Sequence, residues 1–176
     1  MSFIRTVMAA LVLLTAPAAA AKFCDGQVCY SEFVSPQKIA FRVAIPDTAA
    51  QGTNFDMLLQ IVAPKTVGWA GIAWAGRMVN NPLTIAYSDG GSSVTVSSRW
   101  ASGCSSWQGG ALDPACTTAA IAWAMAHAAP AQPSSNTSSI RYHSSRDHIS
   151  FDLAAAKIAN FNDVVGALRE FGAGTV

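Results

Sequence analysis

Hydrophobic and polar positions alternate most regularly between Lys38 and Ile45. Ile39, Phe41, Val43 and Ile45 fall on one side, and Lys38, Ala40, Arg42 and Ala44 on the other. A period of two marks a strand with one buried face. Met57–Val62 and Val67–Trp74 are more continuously apolar, which predicts inner strands separated by the Ala63-Pro64-Lys65 turn. Leu83–Tyr87, Val94–Trp100, Thr118–Ala126 and Ile149–Leu153 follow as further strands, with Ser-Asp-Gly-Gly at 88–91 as a hairpin signal. Short strands at this spacing, without long helices between them, predict an all-β fold, an antiparallel β-sandwich. Phe161, Val164, Val165 and Leu168 recur at helical spacing behind Asn160, a residue suited to an N-cap. A short C-terminal helix should therefore lie on the sandwich.

The first 21 residues pattern differently. Arg5 precedes an apolar run from Val7 to Leu14, and Ala16–Ala21 offers small-residue cleavage sites, which reads as a secretory signal. The run is too short for a membrane anchor. Residues 22–176 would then form one secreted domain of about 155 residues, long enough for a real core.

Without Arg5, ten basic and ten acidic residues remain. A net charge near zero gives neither a nucleic-acid footprint nor a polybasic membrane handle. Neutral charge and small size fit a monomer. The four cysteines, Cys24, Cys29, Cys104 and Cys116, all follow the signal. In an oxidising compartment they predict two disulfides, for which three connectivities are open. CDGQVC has the wrong spacing for a zinc knuckle, and without CxxCH any haem would be held non-covalently. Ala128–Ser139 reads as an exposed Pro/Ser loop carrying one glycosylation sequon at Asn136.

Conventional catalytic groups are sparse. There are three histidines, His127, His143 and His148, and no GxSxG, HExxH or phosphate-cradling glycine loop. Asp147 and His148 with neighbouring serines offer the residue types of a hydrolase triad, but serine-rich loops make that coincidence common and a triad is recognised by geometry rather than composition. His127, ending the AWAMAH strand, reads as a cap on a core edge. The more informative stretch is VGWAGIAWAGRMVNNP, Val67–Pro82, where an apolar strand gives way to a polar turn holding Met78. A methionine there is either core filler or a soft thioether ligand. Joined by an imidazole from the segment Tyr142–His148, it would complete a Met/His axial set for haem iron. With both axial positions filled, such a centre transfers electrons and makes no bonds.

FRVAIPDTA, LLQIVAPKTVGWAGIAWAGRMVNNPLTIAY, VTVSSRWASG, CSSWQGGALDPA and IRYHSSRDHISFDLAAAKIANF together resemble the secreted cytochrome domain of fungal cellobiose dehydrogenase and its stand-alone relatives. The resemblance covers nearly all of the mature chain and is most specific in WAGIAW, MVNNPL and SSRWASG. It implies an immunoglobulin-like β-sandwich with a non-covalent haem b between methionine and histidine axial ligands. It also implies single-electron relay from a flavin dehydrogenase to copper-dependent polysaccharide monooxygenases or ferric iron. Carried over by residue, the methionine is Met78. The histidine falls on His143, because Asp152 and Leu153 keep the family's spacing to it; His148 is the second choice.

The chain departs from the family pattern at one junction. Relatives carry several tens of residues between SSRWASG and CSSW, whereas here Gly103 passes directly to Cys104. This implies a sandwich short of some strands and a pairing of Cys104 with Cys116. The rival readings are a haem-free carbohydrate-binding module presenting Trp69, Trp74, Trp100 or Trp107 as a flat platform, and a shortened, non-functional form.

Overall fold

The computed structural model describes residues 20–50, 54–74, 76–79, 81–100 and 118–170. Ten strands and one helix follow in chain order: β1 (Ala21–Asp25), β2 (Val28–Val34), β3 (Ala40–Pro46), β4 (Leu58–Val62), β5 (Trp69–Ala73), β6 (Pro82–Ser88), β7 (Val94–Trp100), β8 (Thr118–Ala126), β9 (Ser145–Asp152), β10 (Lys157–Ile158) and α1 (Phe161–Glu170). They form two five-stranded sheets. In the first, β1, β2, β3 and β10 lie in that order and β4 also pairs with β3; in the second the order is β7-β6-β5-β8-β9.

The predicted inward face of β3 forms the core: Ile39, Phe41, Val43 and Ile45 are buried between the sheets, with Ile72, Ile121, Met125, Ile149, Phe151 and Leu153 opposite. Phe33, Phe41 and Trp123 meet at centroid separations of 5.9–6.5 Å, within the range at which aromatic pairs attract. The other face of β3 is covered as well. Ala44 packs with Phe161 of α1, and Arg42 lies 3.6 Å over the Phe23 ring while its Nε donates to Glu32 at 2.6 Å.

Several expected elements shift. The first cysteine pair sits in a β1–β2 hairpin, where Cys24 faces Cys29 in register and is bonded to it. Gly26 adopts φ 58° in its turn, a conformation glycine takes without steric cost. Strand β4 is a half-buried edge rather than an inner strand, since it pairs only with β3. Strand β5 stops at Ala73, and residues after it turn away at Gly76, which has φ 72°. β9 begins at Ser145, four residues before the predicted start, and so includes His148. Its polar first half hid the strand, because the apolar alternation becomes visible only from Ile149. β10 pairs with β3 in parallel, the exception in an otherwise antiparallel fold.

The 88–91 hairpin forms as expected, with Asp89 Oδ1 accepting from Gly91 and Ser93 amides. Cys104, Cys116 and the Gly103–Cys104 junction lie outside the described residues, as does most of the predicted signal. A groove of about 630 Å³ is lined by residues of β4, β6, β7 and α1. Val94 and Val96 line it and are 65% and 42% exposed.

Candidate functional site

The second sheet carries a second apolar cluster on its outer face. Trp69, Ala73, Leu83, Ile85, Tyr87, Ala124 and Ala126 are buried there, although the sandwich core is on the other side. Part of their cover is the segment 127–144, most of which, Ala128–Ser139, sequence reading takes for an exposed polar loop. The polar side chains of β6 and β7 hold its main chain down. Tyr87 Oη donates to the Ser135 carbonyl at 2.5 Å and Thr95 Oγ1 to that of Pro133 at 2.7 Å. Ser97 Oγ donates to the Asn136 carbonyl, and Arg99 Nη2 to that of Ser138 at 2.5 Å. Trp69 Nε1 donates to Arg141 O at 3.2 Å. A loop with few apolar residues thus becomes a third layer, because its carbonyls find donors on the sheet.

A cleft of about 420 Å³ opens on this outer face, within the range of small-molecule and cofactor sites. Strand register explains its floor. One row across the sheet is Leu83, Ala73, Ala122 and His148, and the next row on the same face is Ile85, Gly71, Ala124 and Arg146. The four central positions are glycine or alanine, so the sheet backbone comes close to whatever occupies the cleft. A Cβ on Gly71 would stand 2.7 Å from the Thr84 carbonyl oxygen.

Met78 reaches the same cleft from residues 74–81. Buried Asn81 fixes that turn, since its Nδ2 donates to the carbonyls of Arg77 and Val79 at 2.8 and 3.2 Å, on either side of Met78. Trp74 Nε1 ties the start of the turn to Thr84 Oγ1 at 3.0 Å. The Asn-Asn-Pro sequence gave a turn signal, but the role of Asn81 depends on carbonyls that only the folded turn presents.

Met78 and His148 therefore line one cleft, with Arg77, Arg146 and Asp147 contributing charge. His143 is half-buried and not among its lining residues; its ring lies against Tyr142 at 4.1 Å, and its Nε2 is 3.5 Å from Arg146 Nη1. His127 is exposed just beyond β8, with Nδ1 3.1 Å from Thr66 O. Trp69 is 3% exposed and Trp74 is half-buried and hydrogen-bonded. A flat surface platform built on Trp69 is thereby ruled out by its burial under the loop; the Trp100 side chain and Trp107 lie outside the described residues. Asn136, with its sequon, is exposed on the covering loop.

Among the described residues no three or more His, Cys, Asp or Glu side chains converge as a metal site. A thioether and an imidazole give two donors, which suits a metal whose remaining positions a macrocycle fills. The small-residue floor and apolar walls of Trp69, Leu83, Ile85 and Ile140 fit such a flat, mostly apolar ligand.

A family described as the cytochrome domain of cellobiose dehydrogenase matches residues 23–103 and 102–163. The two matched segments meet where Gly103 passes to Cys104. Among solved structures, the fold is similar to the cytochrome b domain of pyranose dehydrogenase from Coprinopsis cinerea. Its TM-score is 0.72 at 23% identity, over 85% of this chain and 96% of that one. It is similar also to the cytochrome domain of Myriococcum thermophilum cellobiose dehydrogenase, with TM-score 0.70 and 18% identity, over 86% and 97%. The sandwich and its C-terminal helix are thus the fold of these domains.

Proposed function

Because the chain belongs to the family of cellobiose dehydrogenase cytochrome domains, whose members bind haem and transfer electrons, we propose that it is a secreted electron-transfer protein holding non-covalent haem b in the cleft on the outer face of the second sheet. The observation that carries this reading is the meeting of Met78 and His148 at one cleft with a glycine and alanine floor. We take Met78 and His148 as the axial pair, with His143 as the alternative. Bound there, haem supplies one-electron redox chemistry.

The chain's own residues do the rest. The Met78 sulfur favours the ferrous state and raises the potential. Asn81 holds the Met78 turn through its two carbonyl contacts. The row of Gly71, Ala73, Ala122 and Ala124 leaves room for a planar ligand, and Trp69, Leu83 and Ile85 keep water from one side of it. A thioether and an imidazole from the protein would together leave no position on a bound haem open to a substrate, which suits electron relay. The donor in this reading is a flavin dehydrogenase and the acceptor a copper polysaccharide monooxygenase or ferric iron. The N-terminal signal, an exposed sequon at Asn136 and the Cys24–Cys29 disulfide support an extracellular setting. No helix among the described residues is long and apolar enough to cross a membrane.

The test is an absorption spectrum of the purified full chain supplied with haemin, first oxidised and then reduced with dithionite. Sharp α and β bands with a shifted Soret band on reduction are expected of a six-coordinate low-spin haem. A protein that stays colourless after haemin is supplied would overturn the reading.

A further inference from the structure

We propose that Arg77 and Arg146 form a paired anion site that takes the two carboxylates of a dicarboxylic porphyrin. This rests on the cleft being a haem site, and it deepens that reading by stating which chemical form of ligand is selected. The cleft is mostly apolar, yet two guanidiniums line it against the single carboxylate of Asp147. Their positions follow those of the two proposed iron donors. Arg77 directly precedes Met78 in the turn, and Arg146 stands two residues before His148 on the same face of β9.

Two other arginines are committed to the fold. Arg42 is bound to Glu32 and Gln60 and lies over Phe23, and Arg99 is bound to Ser97 and the covering loop. Arg77 and Arg146 are exposed and take part in no ion pair among the described residues. The neighbour of the Arg146 guanidinium is the His143 ring at 3.5 Å. Guanidinium matches carboxylate as a planar fork of donors, and the match strengthens beside an apolar wall that excludes water. A ligand with an apolar body and two anionic arms satisfies both halves of this site.

The experiment uses the full chain without iron, so that axial bonds play no part. Metal-free protoporphyrin IX and its dimethyl ester, each delivered from dimethyl sulfoxide, are titrated against tryptophan fluorescence, which Trp69 in the cleft wall reports. The diacid is expected to bind at least about tenfold more tightly than the ester, as charge-assisted hydrogen bonds require. The double variant Arg77→Gln/Arg146→Gln should lose that preference and keep its affinity for the ester, which also shows that the variant is folded. Equal binding of diacid and ester by the unaltered chain would overturn the anion site and leave the haem reading standing. A preference for the diacid that survives in the double variant would do the same. Binding of neither porphyrin would overturn the anion site, and the haemin spectrum would decide the haem reading separately.

Discussion

His148 on β9 stands opposite Ala122 on β8, in the same row as Ala73 and Leu83. That register sends the imidazole to the face where Met78 closes the cleft. Replacing His148 by Ala should therefore abolish the low-spin spectrum of the haem-loaded protein, whereas His143→Ala should retain it. Met78→Ala should lower the reduction potential and free one axial position, read by spectroelectrochemistry and by binding of added imidazole. A low-spin spectrum that survives in His148→Ala and vanishes in His143→Ala would move the ligand to His143.

Gly71 has no room for a side chain. A Cβ there would stand 2.7 Å from the Thr84 carbonyl oxygen and 3.2 Å from Ile85 Cα. Those are main-chain atoms of β6 and have no rotamer to give. Gly71→Ala should destabilise the chain by about 1–3 kcal/mol, the usual cost of overpacking. The change should appear as a lower urea midpoint at constant slope, with porphyrin affinity falling as well.

Arg99 holds the covering loop through the Ser138 carbonyl at 2.5 Å and the Asn136 carbonyl at 3.3 Å. Arg99→Met should cost about 1.5–3 kcal/mol, as expected for hydrogen bonds to a charged group. Hydrogen exchange of amides in residues 132–139 should quicken while exchange in β3 stays as it was, because the loss is confined to the outer layer.

Tyr30 is buried beside α1 in the cluster with Ala44 and Phe161. Burial raises its pKa above the ordinary tyrosine value, and the charge of Asp25 adds to the rise, while Arg42 opposes it. The folded chain thus keeps its proton at a pH where the unfolded chain has lost it. The stability contributed by Tyr30 is fully present below about pH 10, the unfolded value. It is lost as the pH rises from there through the folded value. Tyr30→Phe should flatten the decline in stability above about pH 10, measured by urea unfolding across the alkaline range.

The sandwich was legible because burial imposes a period of two on strands with one covered face. Ile39, Phe41, Val43 and Ile45 announced β3 in this way, and the Phe161 spacing announced α1. The Asn-Asn-Pro sequence placed Met78 at a turn, although β5 ends at Ala73, earlier than the strand expected to run up to Arg77. The β1–β2 hairpin was hidden because its exposed residues follow no apolar rhythm. The polar first half of β9 hid His148, which counting along the chain placed behind His143.

Sequence by itself determined the strands that have one covered face, the C-terminal helix, and the presence of a thioether and imidazoles in one chain. Those depend on local spacing and side-chain type, which the chain carries with it. Tertiary structure decided which histidine shares the cleft with Met78, and that a polar loop covers the outer face of the second sheet. It also made a floor of Gly71, Ala73, Ala122 and Ala124, residues up to 53 positions apart in the chain. Their adjacency comes from antiparallel pairing between β5 and β8, and hydrogen-bond register, unlike periodicity, is a relation between segments that no single segment contains.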